Sequence, residues 1–319
     1  MKTGLVLLNL GGPATLGQVT GFLTRLFTDR EIIRLPGGRA GQAVLGRTIA
    51  LVRTPSVRRN YARIGGGSPI LMWTAAQAEG VTQRLRTRGY DVTPAIAMRY
   101  ASPTSDDAVA RFRAAGVERI VSLTMYPHHS VATTGSSVND LLRAMQRASF
   151  DVPLERVDEW YDHPGYLDAL AARVRAARAQ LPPATEPTLL VSAHGLPEHF
   201  IAAGDRYCDH IQATIDGVRA RVPDMPVALG YQSRVGPVRW IGPTTDQTIT
   251  RLAGEGVRDL VVLPISFVSD HIEILYEIDM LYADRARREG IRHYVRTESL
   301  NDFPPFLDAL ADLVEHRLR

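Results

Sequence analysis

The chain has 319 residues, 45% hydrophobic and 22% charged, the make-up of an ordinary soluble globular protein long enough for two domains. Its basic residues are Lys2 and 36 arginines, so a Walker phosphate loop or a Schiff-base mechanism lacks its lysine; its one cysteine, Cys208, excludes an internal disulfide framework and any site built on several of its own thiolates. Charge is unevenly shared: residues 1–150 carry 19 basic and 8 acidic groups (+11), residues 151–319 carry 18 and 26 (−8), and the first 63 residues alone stand at +8.

The opening MKTGLVLLNLGGP reads as a first buried strand and not as a leader, because its short apolar run enters Gly-Gly-Pro instead of a cleavage site. Short runs rich in Val, Ile and Leu then alternate with helical patterns, the signature of parallel α/β sheets. Strands are predicted at Gly4–Asn9, Val92–Met98, Arg119–Met125, Leu154–Val157, Pro187–Ala193, Pro226–Gly230, Asp259–Pro264 and Arg292–Val295. Helices are predicted at Trp73–Thr87, Asp106–Ala115, Ser136–Ala148, Pro164–Leu181, Tyr207–Val222, Thr245–Ala253, His271–Arg288 and Pro304–Leu318. Four strands on each side of residue 158 imply two similar doubly wound units, 1–157 and 158–319, with the last helix, 304–318, packing back on the first. No stretch approaches the roughly 18 unbroken apolar residues of a membrane span, and the scarcity of cysteine points to the cytoplasm.

Ligands of such sheets bind at strand carboxyl ends. Four segments stand there: Asn9-Leu10-Gly11-Gly12-Pro13, Tyr126-Pro127-His128-His129-Ser130, Ser192-Ala193-His194-Gly195-Leu196-Pro197 and the run Ser266–Glu273. No GxGxxG follows a strand, and HExxH, GxSxG and EF-hand patterns are absent. His194 is a candidate base or metal ligand, against the plainer reading of a histidine bonded into a turn. Asp270, His271, Glu273 and Glu277 begin an otherwise apolar helix. Carboxylates four apart share a face and repel, which with burial makes a poised proton acceptor or a hard metal ligand. Helix capping by Asp270 and Glu273 is the competing explanation, but it accounts for neither Glu277 nor the apolar surroundings. Two histidines and three carboxylates, with no thiolate, suit Fe²⁺ held loosely by N and O donors. The glycine-rich turn after Tyr61 and Arg63, Arg99-Tyr100, Trp240 and Phe267 could complete a ligand pocket.

The segments LLNLGGPATL, FLTRLFTDREIIRLP, RTPSVRRNYARIGGGSPI, MRYASP, MYPHHSVATTGSS, SAHGLP, YQSRVGPVRWIGPTTDQT and PISFVSDHIEILYEIDMLY, running in order from Gly4 to about Phe306, resemble ferrochelatases, which insert ferrous iron into a porphyrin in haem synthesis. The resemblance implies two Rossmann-like units with a porphyrin cleft between them. It implies that His194 is the active-site histidine, that Glu273 with His271 is the acid pair opposite, that His194 and Glu273 meet the metal, and that Asp270 and Glu277 form a path for protons or metal. It places Leu10, Arg99, Tyr100, Trp240 and Phe267 on the macrocycle, Arg53, Tyr61 and Ser68 on the propionate side, and Phe22, Leu23, Leu26 and Phe27 on an apolar lip. His128-His129 depart from the glutamine and aromatic found in many relatives.

The partners so implied are porphyrin and Fe²⁺ as substrates, with no permanently bound cofactor, no [2Fe-2S] cluster and no nucleic acid. A monomer is expected, cytoplasmic and peripheral on the inner face of the membrane, to which the lip and the basic first 63 residues would bind. Protoporphyrin IX is the expected substrate, from the lip and the YPxxS and ATTGSS segments. The alternatives are a coproporphyrin III ferrochelatase and a porphyrin or haem carrier without turnover.

Overall fold

Every residue of Thr3–Asn9 (β1) is buried, which in a parallel sheet means that both faces are covered. β1 lies between Val92–Met98 (β2) and Arg119–Thr124 (β3), and Leu154–Val157 (β4) pairs outside β3, giving the parallel order β2-β1-β3-β4. One face of this sheet packs Val6, Leu8, Ala95 and Ile120 against Val109 and Phe112 of Ser105–Ala114 (α4) and Leu141 of Ser136–Arg147 (α5). A capping box between Thr104 and Asp107 starts α4. In a computed structural model that describes residues 1–236 and 238–319, the first unit comprises Met1–Glu159 and Leu310–Arg319, and the second Trp160–Ala309. Within the first, Arg88 pairs with Asp312 and Glu315 at 2.7 Å, and Arg119 donates to the Leu318 carbonyl at 3.1 Å.

The second unit repeats the plan. Thr188–His194 (β5), Val227–Gln232 (β6), Asp259–Pro264 (β7) and His293–Arg296 (β8) pair in the parallel order β6-β5-β7-β8. Its core joins Leu190, Leu260 and Val262 to Ile249 and Leu252 of Thr245–Gly254 (α9) and to Ile274 and Ile278. Both units carry a π-helical segment after their third strand, Val131–Gly135 and Glu273–Tyr282, the latter continuing as an α-helix over Ala283–Arg288. The sequence periodicity reads this second segment as one α-helix; the wider i→i+5 turns are the correction.

The strands lie within two residues of their predicted ends. Three helices are unforeseen: Val19–Thr28 (α1), Gly38–Arg63 (α2) and the short Glu198–Ala202. The helix predicted from Trp73 begins at Ile70. Helix α2 escapes detection because its pattern is inside out. Its buried stripe is Gln42, Gly46, Ala50 and Thr54, every fourth residue and all small or polar, whereas Val44, Leu45, Leu51 and Val52 are exposed. The small stripe lets α2 approach α1 closely: a Cβ on Gly46 would lie 2.6 Å from the Phe27 carbonyl oxygen, and Gln42 donates to that same oxygen at 2.8 Å. Phe22, Leu23 and Phe27 of α1 are buried at 5–7% exposure, and of the four expected lip residues Leu26 is the half-exposed one.

Gly46→Ala is expected to destabilise the protein by about 1–3 kcal/mol despite alanine's better helix propensity. Gly254→Ala, with open space around its Cβ, is expected to be neutral or stabilising by about 0.5–1 kcal/mol. Urea unfolding of the two variants side by side checks both.

Candidate active site

In the order β6-β5-β7-β8 the chain leaves β5 to one side and returns on the other, so the crevice at the carboxyl ends of β5 and β7 is the topological switch point. His194 is the last residue of β5, and Ser266–Ile272 leads from β7 to the π-helical segment. His194 Nδ1 and Glu273 Oε2 meet across this crevice at 2.8 Å. An ionised carboxylate only accepts, so Nδ1 carries the hydrogen and Nε2 of the neutral ring is left with its lone pair.

The backbone of His194 is held by a closed ring of hydroxyls. Its N–H donates to Ser266 Oγ (3.0 Å), Ser266 and the Tyr207 hydroxyl lie 2.6 Å apart, and Tyr207 donates to the His194 carbonyl (3.0 Å). The following Gly195 permits close approach to β6, since a Cβ there would sit 2.9 Å from the Gln232 carbonyl oxygen. Phe267 and Trp240 stand edge-on to the imidazole, with centroids at 5.6 and 6.4 Å.

Ser233, just beyond β6, contacts both acids, its Oγ 2.9 Å from Glu273 Oε2 and 2.6 Å from Glu277 Oε2. Burial alone would raise the Glu273 pKa, but the His194 charge and hydrogen bond outweigh it and hold the group below the usual carboxylate range. Burial and then repulsion from Glu273 push Glu277 up to about 7. For His194, burial pulls downward but Glu273, with Glu277 behind it, raises the net value above that of an ordinary histidine. Burial lowers the His271 pKa. His271 Nδ1 reaches the Ser269 carbonyl at 3.0 Å, its ring lies against Phe267, and its buried Nε2 has no hydrogen-bond partner. His271 is therefore a neutral imidazole with an open lone pair.

Asp270 lies apart from this cluster in its bonding. Its carboxylate accepts from Ser299 Oγ (2.7 Å) and Asn301 Nδ2 (3.0 Å), with Arg296 at 3.5 Å, so it ties the loop after β7 to the segment that follows β8. Capping, the competing explanation for Asp270 and Glu273, is not what they do: Ile272 holds the cap position, with no side-chain cap bond. Among the described residues no group of three or more His, Cys, Asp or Glu is arranged to hold a metal ion.

The first unit's residues gather around Asp29, at the end of α1. Asp29 pairs with Arg99 and accepts from the Tyr100 hydroxyl at 2.6 Å, while Arg99 Nε donates to Ser136 at 2.8 Å. Tyr100 is buried, takes Phe22 edge-on at 6.4 Å, and donates its N–H to the Leu10 carbonyl at 3.0 Å. Arg53 lies 5.6 Å over the Phe27 ring. Ser68 bonds through its N–H to Pro13 at 2.8 Å, beside the loop that follows Leu10, and Tyr61 is buried.

The Ferrochelatase family model matches residues 2–318. The chain belongs to the ferrochelatase family. A ferrochelatase of Geobacter sp. is 45% identical over 314 residues, covering 98% of both chains. One from Synechococcus sp. is 42% identical over 321 residues, covering 98% of this chain and 82% of its own. The solved structure of SirB from Bacillus subtilis with Fe³⁺ shares the fold, with a TM-score of 0.60 at 11% identity over 99% of this chain and 95% of that one. The chain is thus an enzyme of haem synthesis that inserts iron, and Fe²⁺ is its substrate.

For a ferrochelatase, the residues that sequence reasoning overlooked are Ser233, Gln232, Tyr207, Ser266 and Asp29. Reading β6 two residues too short hid Gln232 and Ser233, which otherwise stand at a strand's carboxyl end as His194 does. Asp29 carries no sequence signal beyond being one of two acids among the first 63 residues.

Glu277 also generates a stability prediction. The folded protein holds this proton up to about pH 7, whereas the unfolded chain releases it near the usual glutamate value of about 4.3. Stability therefore falls as pH rises between those values and stays reduced above them. Glu277→Gln should remove the loss and raise stability at pH 8 relative to pH 5 by on the order of 1–2 kcal/mol, allowing for partial solvent screening. Thermal melts at the two pH values check this.

Proposed function

We propose that the enzyme metallates protoporphyrin IX and that His194 Nε2 receives the two pyrrole protons one at a time, with Glu273 fixing the imidazole tautomer, stabilising the cation formed and passing the first proton on through Ser233 to Glu277 before the second arrives. The observation that carries this reading is the 2.8 Å bond from His194 Nδ1 to Glu273. It aims the one basic lone pair away from the carboxylate, and the carboxylate behind the ring raises the basicity of that nitrogen. Glu273 supplies a hard oxygen donor and His271 a neutral nitrogen, which suits transient handling of Fe²⁺ before it passes to the macrocycle. Glu277, able to exchange a proton near pH 7, serves as the outlet; Asp270 plays no part in it.

Removing two N–H protons and exchanging the metal's waters for four ring nitrogens requires a distorted macrocycle, at a cost on the order of 1–5 kcal/mol drawn from binding. Phe267 and Trp240 supply rigid edges beside His194. Leu10, Leu26, Arg53, Ser68 and Arg99 are the half-buried members of the first unit's set, and Tyr61, Tyr100, Phe22, Leu23 and Phe27 are its buried members. The choice of protoporphyrin rests on charge. Arg99 is taken up by Asp29 and Ser136, which leaves Arg53 as the cation of this set, better suited to two carboxylates than to four.

His194→Ala and Glu273→Gln should each slow iron insertion at least about a hundredfold while porphyrin still binds. Absorbance assays with protoporphyrin and coproporphyrin offered separately check both statements. Near-wild-type rates in either variant would remove the roles assigned, and faster turnover of the four-carboxylate substrate would reverse the specificity. A carrier would show tight binding and no insertion in the wild type.

Peripheral membrane association belongs to the same reading, with its contact moved from the α1 lip to α2. The outer face of α2 exposes Val44, Leu45, Leu51 and Val52, and the helix carries six arginines and no acidic residue. Each basic group close to an anionic bilayer is worth about 1 kcal/mol. Flotation with acidic liposomes should recover the protein at low salt, lose it at high salt, and be weakened by Leu51→Asp with Val52→Asp. No recovery at low salt would leave α2 a solvated face.

A further inference from the structure

Ser233 has a left-handed backbone conformation, φ 66°, which is unfavourable for any residue with a Cβ and is ordinarily filled by glycine or asparagine. What this placement achieves is visible in its hydroxyl. Ser233 Oγ lies between the two acids of the site, 2.9 Å from Glu273 Oε2 and 2.6 Å from Glu277 Oε2. The Glu273 oxygen is the same atom that meets His194 Nδ1. Next to it, the buried Gln232 carboxamide is oriented by Ser192, which donates to its Oε1 at 2.7 Å, and its Nε2 points toward the Glu273 carbonyl oxygen at 3.4 Å. The end of β6 therefore grips the start of the π-helical segment at both backbone and side chain.

A glutamate has three rotatable side-chain bonds, and an isolated bond to a histidine leaves much of that freedom intact. A second contact on the same oxygen removes it, and removes it for Glu277 at the same time. We propose that Ser233 is a positioning residue for iron insertion, its hydroxyl bridging Glu273 and Glu277 and so holding Glu273 Oε2 on His194. This rests on the reading of His194 and Glu273 given above and adds to it the element that sets their geometry. Outer partners of this kind typically contribute ten- to hundredfold to activity.

The test separates the hydroxyl from the backbone conformation. Ser233→Gly removes the hydroxyl and suits a positive φ; Ser233→Asn tolerates that φ and keeps a polar group that can reach the acids. Melting temperature, porphyrin affinity by fluorescence quenching, and the kcat and KM of iron insertion are measured for both and for the wild type. Ser233→Gly is expected to melt at or above the wild-type temperature and to bind porphyrin within about twofold of wild type, with kcat reduced by roughly ten- to hundredfold. Ser233→Asn should recover part of that loss. A Gly variant that turns over at the wild-type rate overturns the assignment, as does a fall in kcat matched by an equal loss of porphyrin affinity or of melting temperature. A wild type that binds porphyrin but inserts no iron would instead overturn the underlying reading.

Discussion

The bond between His194 and Glu273 is the interaction that the second unit is organised to make. It joins the end of β5 to the helix following β7, the two strands between which the chain's winding changes direction, and thus closes the crevice that any doubly wound sheet leaves at that point. The neighbouring structure limits its freedom. Hydroxyls of Ser266 and Tyr207 fix the histidine's backbone, ring edges of Phe267 and Trp240 confine its imidazole, and Ser233 holds the carboxylate. In partly buried surroundings the His194 bond, and the charge the ring takes on with a proton, act on Glu273 more strongly than in water, which keeps Glu273 ionised while Glu277, four residues on and without a histidine partner, holds its proton to near neutrality.

The first unit has the same strand order and the same π-helical turn after its third strand, but it spends its charge differently. Around Asp29 an arginine, a tyrosine hydroxyl and, through Arg99, Ser136 are tied into one internal cluster. The corresponding crevice opens on Leu10 and the Gly11-Gly12 turn, with no acid pair. One layout thus carries a crevice without an acid pair in one unit and one lined by His194, Glu273 and Glu277 in the other. The +11 and −8 halves of the sequence reflect this division only in part, since most of those charges sit on solvated helix faces such as α2.

Much of this was readable from residue order alone. The strands announced themselves because both faces of each sheet are covered, which produces unbroken Val, Ile and Leu runs such as VLLNL and LVVLP. His194, Glu273 and Glu277 stood out as polar groups where those runs end. What stayed hidden depended on distance in the chain. Ser233 lies 40 residues from Glu273, and nothing local marks it except the end of a strand read too short. Asp270 is the complementary case: it stands beside Glu273 in sequence, whereas the turn sends its carboxylate to Ser299 and Asn301. At α1 the resemblance implies an apolar lip of Phe22, Leu23, Leu26 and Phe27, and the fold buries all of these but Leu26.

Helix α2 has a consequence for how the molecule yields to stress. An ordinary surface helix is retained by the large side chains on its inner face, so detaching it exposes much apolar area. Here the inner face offers Gly46, Ala50, Thr54 and a glutamine, and what holds it is proximity of backbones together with the Gln42 bonds to Phe27 and Ile33. Apart from Tyr61 near its end, lifting α2 would uncover little apolar surface of its own, and it would bare Phe27 of α1, over whose ring Arg53 lies. An element held in this way is a natural site of local opening, at the same surface that its arginines would present to a bilayer.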